Sequence, residues 1–463
     1  MKRPLIVAMI ASEMEPFAKT GGLADVAGAL PLALGSLGVT IHAFVPRYAC
    51  VQESQSSVQV APGVTVHFVD HKGYFHRPKL YGEGNGDYPD NLERFSFFCR
   101  QALNRMKHAG IRPDLLHAHD WQSALSIVYL KKELPNDPVF SRTSSVFTVH
   151  NLAYQGLFPK EQYPKLGLPW DFFSIQGLEF YDRVNLLKGG LVFADRLTTV
   201  SPSYAREIQS PEQGEGLDGV LRTRSQDLVG ILNGIDQETW NPATDSLIPH
   251  RYDPRQTAPK AKIKAALQKE MGLPVSGQTP LIGMVTRLAS QKGLDLVVQA
   301  LPQLVQLGSQ LVVLGTGDRA VEEALGAVAK GSAPIRLRLA FDNKLAHWIY
   351  AGSDLFLMPS RYEPCGLGQM IAMRYGTVPV VRSTGGLADT VKDLTSDPLQ
   401  GNGFSFGPYD PSALVSAVRR AVNGYKDEKR WDLLRRRVMK IDFSWDHSAK
   451  EYLRVYEELV YSR

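Results

Sequence analysis

Cysteine is scarce in this chain: Cys50, Cys99 and Cys365 are the three among 463 residues. An odd, sparse set without CxxC spacing excludes a disulfide framework and the usual structural zinc site, and it points to a reducing, cytoplasmic home. Long apolar runs are missing too. None approaches the roughly 20 residues that a membrane-spanning helix needs, so no membrane partner is expected. The opening "MKRPLIVAMIASEME" starts like a signal peptide, with two basic residues before an apolar run. Charge then returns at Glu13, Glu15 and Lys19, and the run reads as a first buried strand. Charge of one sign is gathered nowhere. Lys and Arg number 52 against 47 Asp and Glu, a net charge of +5 with no basic block, which argues against a nucleic-acid partner. A mildly basic balance suits an anionic small substrate. Finally, no DxD triplet occurs, so a carboxylate-held metal bridging a diphosphate has no sequence support and no metal is expected.

What is present is enough core for two large domains: hydrophobic residues make up 44% of the chain. Short apolar runs alternate with longer helical patterns. "LIVAMIA", "VTIHAFVP", "DLLHAHD", "SSVFTVHN", "RLTTVS" and "LVGILNG" read as buried strands. "DVAGALPLALGSLG" and "WQSALSIVYLKKEL" read as helices between them. Punctuation thickens in "WNPATDSLIPHRYDPRQTAPK", with prolines 242, 249, 254 and 259, which makes this the expected linker. The rhythm then restarts with "LIGMVTRL", "SQLVVLGTG", "IRLRLAF", "SDLFLMPS" and "TVPVVRS". The expectation is an α/β chain of two Rossmann-like domains, 1–245 and 246–440. An amphipathic helix over 441–463 is expected to pack back across the junction.

Ligands of open α/β sheets bind beyond the carboxyl ends of strands. The chemistry-bearing residues lie there. "TGGLAD" occurs twice, at Thr20–Asp25 and Thr384–Asp389, each time after an apolar run and before a helical pattern. Glycines there let backbone N–H groups approach a ligand, and a helix start favours an anion. Lys19 adds a mobile cation, and Asp25 can accept a sugar hydroxyl; a plain strand-to-helix turn would read the same way. In "HAHDW", Asp120 reads as an acceptor at a strand end, and His117 and His119 as satisfied structural groups. "TVHNLAYQG" places His150 and Asn151 after a strand. "RLASQKG" offers Arg287 and Lys292 to a diphosphate, or forms a solvated basic turn. "GTGDRA" resembles a dinucleotide fingerprint, yet no acidic residue is placed for a ribose, and a tight turn explains it. In "SRYEPCGLGQM", Glu363 precedes a helix opened by Gly366 and Gly368, and Cys365 is a packing residue or a thiol with a lowered pKa.

Taken in order, "KTGGLADV", "HAHDW", "HNLAYQG", "ILNGID…WNP", "RLASQKG", "SRYEPCGLGQM" and "STGGLADTV" resemble the bacterial glycogen synthase and plant starch synthase family over essentially the whole chain. The resemblance implies a GT-B fold, two doubly wound domains facing a deep cleft. It implies transfer of glucose from ADP-glucose to the non-reducing end of an α-1,4-glucan, with retention and without metal or cofactor.

Residue by residue, the resemblance makes Lys19, Gly21 and Gly22 a donor-binding turn and Asp25 an essential acid. Tyr81, Asp120 and Asn151 fall on the sugar side. His150 and Glu363 would stabilise positive charge on the transferred glucose. Asn233, Arg287, Lys292, Cys365, Gly366, Leu367 and Gly368 fall on the donor. Thr384, Gly385 and Gly386 form the second donor turn, brought to the same cleft by closure. Three positions depart from the family pattern: Gly368 where threonine is common, Phe341 where a tyrosine stacks on adenine, and Gln122 where histidine is common. The competing expectations are a transferase with a small or lipid acceptor, a silent glucan-binding protein and, more remotely, a nicotinamide oxidoreductase.

Overall fold

The computed structural model describes residues 3–83, 86–330 and 334–461. The chain divides into two compact units, one made of Met1–Gly234 with Trp445–Arg463 and the other of Ile235–Ser444.

The first unit is built on an eight-stranded sheet. Its spatial order is Leu228–Gly230, Arg196–Thr199, Ser144–Val149, Leu115–His119, Ile6–Ile10, Thr40–Pro46, Val64–Val69 and Ser57–Ala61. All neighbours are parallel except the last pair, an antiparallel edge hairpin. Val7, Ala8 and Ile10 are fully buried, as expected of a strand covered on both faces. The six apolar runs read from the sequence are strands here. The edge hairpin and a small antiparallel sheet of Leu157–Pro159, Arg183–Asn185 and Glu179–Phe180 went unread. The strands of the small sheet, two or three residues each, are too short to carry a period, and the edge strand Ser57–Ala61 has no buried residue to mark it.

The last helix, Trp445–Tyr461, belongs to this unit. Its Trp445, Ala449, Tyr452 and Tyr456 enter the same core as Leu23, Val26, Ala27 and Leu30 of the helix Gly22–Ser36. Each buried large side chain contributes about 1.5–3 kcal/mol. The Tyr456 hydroxyl also lies 2.7 Å from His117 Nδ1, inside the sheet.

The second unit carries six parallel strands, ordered Ile335–Arg338, Gln310–Leu314, Leu281–Val285, Leu355–Met358, Val378–Arg382 and Phe404–Phe406. In chain order that is third, second, first, fourth, fifth, sixth, the doubly wound arrangement whose order reverses between the first strand and the fourth. A ligand crevice is expected beyond the ends of Leu281–Val285 and Leu355–Met358.

The proline-rich stretch is not a loose linker. Asp245 is buried, lies 2.7 Å from His347 Nδ1 and accepts from the Tyr375 hydroxyl at 2.5 Å. The Tyr252 hydroxyl donates to Tyr375 O at 2.7 Å, and the Trp348 indole donates to Leu247 O at 2.7 Å. Proline fixes the path without a helix, and these side chains pin that path to the second unit. Residues 235–245, read from the sequence as the end of the first domain, therefore belong to the second unit. Among the described residues, no helix is long and apolar enough to cross a membrane.

Candidate active-site residues on each unit

In the first unit the sheet order reverses about its central strand, Ile6–Ile10. The chain leaves that strand through Ser12 and Glu13. Glu13 is 4% exposed, and its carboxylate organises everything nearby. It accepts from Thr20 N at 2.5 Å, from Gly21 N at 3.2 Å, from Thr20 Oγ1 at 2.6 Å and from the Tyr81 hydroxyl at 2.7 Å. Tyr81 is 2.8 Å from Ser12 Oγ as well. Burial, with the Glu13 charge, holds the Tyr81 phenol well above its ordinary value. Sequence reasoning missed Glu13; the only signal was a carboxylate just after a buried strand.

The turn so held is open. A side chain at Gly21 or Gly22 would meet nothing within 4 Å. The helix Gly22–Ser36 starts there without a side-chain cap, so its first N–H groups suit an anion. Lys19 pairs with Asp25 of the first helical turn at 2.6 Å and lies 3.6 Å from Glu15. Burial lifts the Asp25 carboxyl above its ordinary value, against the pull of Lys19.

The neighbouring strand Leu115–His119 ends at Asp120, whose φ of 57° is unusual for a side-chain-bearing residue. Asp120 Oδ1 accepts the His150 N–H at 2.7 Å, which ties the exits of two strands together. Burial raises the Asp120 carboxyl to about 7 and lowers the His150 imidazole to about 3. His150 Nε2 lies 3.0 Å from His119 Nδ1. His117 is satisfied on both nitrogens, by Tyr456 and by Thr148. His119 is not: its Nε2 is buried without a hydrogen-bond partner among the described residues, which corrects the reading of both histidines as satisfied. Asn151 is half-buried, and its Oδ1 accepts Ala153 N at 3.1 Å. Asn233 is 6% exposed, with an Oδ1 that has no hydrogen-bond partner among the described residues.

In the second unit a cavity of ≈ 170 Å³ sits where the sheet order reverses. Arg287, Lys292, Ser360, Glu363, Gly366 and Gly368 line it, with Leu367 and Tyr350. Lys292 Nζ lies 2.9 and 2.8 Å from the two Glu363 oxygens, and Ser360 Oγ donates to Glu363 at 2.8 Å. The pair is mostly buried, and breaking such a pair costs about 3–5 kcal/mol. Its geometry is imposed by backbone. Gly293 has φ 68°, and a Cβ there would stand 2.0 Å from Pro359 O, so the turn bearing Lys292 presses against the loop bearing Glu363. Arg361 N donates to Gln291 O at 2.8 Å across the same seam. The "GTGD" turn fixes the Arg287 loop: Leu288 N donates to Thr316 O at 3.0 Å, and Asp318 N to Leu288 O at 2.7 Å. That is a packing role for a stretch that resembled a dinucleotide fingerprint.

The second TGGLAD copy behaves unlike the first. Thr384, Gly385 and Gly386 are buried. A Cβ at Gly385 would stand 2.0 Å from Glu363 O, and one at Gly386 would stand 2.1 Å from Cys365 O. Gly386 N donates to Glu363 O at 3.1 Å. This copy is the bed on which the Glu363–Cys365 loop lies. Cys365 is buried. A Cβ at Gly368 would stand 3.0 Å from Phe356 Cε1, so a threonine there would need that ring to yield. Phe341 lies outside the residues that line the cavity and is 94% exposed. Gln122 is buried, with an Oε1 that has no hydrogen-bond partner among the described residues.

Residues 6–223 match the family model described as the starch synthase catalytic domain, and residues 270–433 match the one described as glycosyl transferases group 1. The chain is 49% identical to glycogen synthase 2 of Geobacter sulfurreducens, covering 97% of this chain and 98% of that protein. It is 49% identical to the glycogen synthase of Geotalea daltonii with the same coverage. Among solved structures, the catalytic domain of starch synthase IV from Arabidopsis thaliana, bound to ADP and acarbose, superposes with a TM-score of 0.90 at 36% identity over all of both chains. Sucrose-phosphate synthase from Thermosynechococcus elongatus shares the fold, with a TM-score of 0.64 at 18% identity over 99% of this chain and 100% of that one.

Proposed function

The chain belongs to the glycogen synthase and starch synthase family of glucan-extending glycosyltransferases, and from that premise we propose that its donor is ADP-glucose. Glucose passes, with retention, to the non-reducing end of an α-1,4-glucan such as glycogen or a maltooligosaccharide.

One observation carries the reading: Arg287 and the Lys292–Glu363 pair line a single cavity where the second sheet's order reverses. Cations at such a point suit the diphosphate of a nucleotide sugar. When Lys292 turns to the phosphate, the Glu363 carboxylate is left to face a sugar hydroxyl or developing positive charge on the ring. Arg287, Lys292 and the backbone of Cys365–Gly368 stabilise the departing ADP. Asn233 offers its carboxamide to the donor, and Phe341 an exposed ring face for adenine. Thr384, Gly385 and Gly386 act on the donor through the loop they support. From the first unit, the open turn at Gly21 and Gly22 with Lys19 and Asp25 serves the donor. The main-chain carbonyl of His150 steadies the sugar cation. Tyr81, Asp120 and Asn151 serve the sugar hydroxyls. Cations and N–H groups fill the place of a metal in this scheme.

The test is transfer of labelled glucose to glycogen from ADP-glucose or UDP-glucose, in the presence of a chelator. Incorporation from ADP-glucose that falls sharply in Lys292→Ala is the expected result. Incorporation from UDP-glucose alone overturns the donor, and label in a small or lipid product overturns the acceptor.

A further inference from the structure

The second unit holds another cavity, of ≈ 340 Å³, at the opposite end of its sheet. One wall is the helix Pro259–Glu270, with Lys260 and Lys264. Another is the helix Glu428–Val438, with Asp432, Arg435 and Arg436. Asp354, which precedes the strand Leu355–Met358, completes it.

The charges in this cavity do not balance. Lys264 is paired with Asp354 at 2.6 Å, and Arg436 with Asp432 at 2.6 Å. The other Asp432 oxygen accepts from Thr257 Oγ1 at 2.7 Å and leaves Arg435 at 3.6 Å. Arg435 keeps a buried Nε–H with no hydrogen-bond partner among the described residues. Lys260 is 2% exposed, and its ammonium meets neutral acceptors among the described residues, Ala351 O and Thr377 Oγ1 at 2.7 Å and Tyr350 O at 3.5 Å. Four cations, Lys260, Lys264, Arg435 and Arg436, therefore share two carboxylates, Asp354 and Asp432, around a small-molecule-sized cavity. A buried positive charge is costly unless an anion joins it.

We propose that this cavity is a second anion site, built to take a phosphate group between Lys260 and Arg435. Inorganic phosphate and a phosphate monoester share the chemistry it recognises. The group effect on Lys260 agrees. Burial pushes its ammonium well below the ordinary value, Arg435 and Lys264 push the same way, and Asp354 alone opposes them. A bound anion opposes that shift and favours the charged ammonium.

The test is calorimetric titration of inorganic phosphate into the full chain at constant ionic strength, with ADP saturating the donor cavity. That blockade rests on the proposed donor; a preliminary ADP titration reports its failure separately. One saturable site is expected. Arg435→Gln should weaken it about tenfold, the loss of one charge-assisted contact. Lys260→Met, which removes the ammonium, should weaken it as well. Repeating the titration with glycerol 3-phosphate tells the sources apart: tighter binding assigns the site to monoesters, equal or weaker binding to free phosphate. No saturable heat from either anion, or an affinity unchanged in both variants, overturns the proposal.

Discussion

A single buried carboxylate holds the first glycine turn in place. Glu13 accepts from two backbone N–H groups and two hydroxyls at once, so its charge is fully used by the protein. Glu13→Gln turns an amide toward donors that need an acceptor. Losing one charge-assisted bond costs about 1.5–3 kcal/mol, so turnover should fall about tenfold to a hundredfold while the melting temperature moves little. Steady-state rates beside a thermal melt check this, and an unchanged rate removes Glu13 from the site. Asp120 allows a second prediction. Its carboxyl is lifted by burial to about 7, from an ordinary value of 3.8. Between those values the folded chain keeps a proton that the unfolded chain has released. Stability from this group therefore falls as pH rises and levels off above about 7. Asparagine keeps the acceptor for His150 N and cannot titrate. Asp120→Asn should match the wild type near pH 4 and gain on it steadily up to about pH 7, then hold that lead. Denaturation across pH reads the gap; the histidine contributions are common to both proteins and cancel.

At the scale of elements, one hexapeptide serves two purposes. The helix Gly22–Ser36 runs four turns from an open start, whereas Gly385–Thr390 is a short helix wedged under the Glu363 loop. Gly386→Ala must push a methyl group into Cys365 O. Overpacking of this kind costs about 1–3 kcal/mol or more, and the melting temperature should drop. Gly22→Ala meets nothing and replaces a helical glycine, which gains up to about 1 kcal/mol. Its melting temperature should hold or rise while donor use suffers. Equal shifts in the two variants would mean that the copies are not distinct. Most strands and the long helices were legible in the sequence because an apolar run or period marks each of them off against polar or glycine punctuation. The hairpin Ser57–Val69, the strand Phe404–Phe406 and the small sheet around Leu157–Pro159 were not, since pairing across space defines them more than period does.

At the scale of the molecule, the chain crosses between its units twice, and the last helix closes the core of the first. Trp445, Tyr452 and Tyr456 are part of that core. Ending the chain at Ser444 removes them and strips His117 of its tyrosine partner. The first unit should then lose amide protection while residues 235–444 keep theirs, as read by hydrogen exchange. Even loss over both units would count against the division. The amphipathic pattern of the tail announced a packing helix. The address it packs against came only from contacts between residues more than 300 apart.

By itself the sequence determined the two doubly wound units, the family, and the strand ends that carry Lys19, Asp120, His150, Arg287, Lys292 and Glu363. Each of these is written in local order: an apolar run, then punctuation, then a polar residue. Tertiary structure decided the rest: that Glu13 holds the first turn, that His119 lacks a second partner, and that residues 235–245 join the second unit. It also decided that the two TGGLAD copies differ. Identical letters have identical local preferences, so only the neighbours can separate them. One copy faces open space, and the other has a backbone carbonyl 2.1 Å from where its Cβ would be.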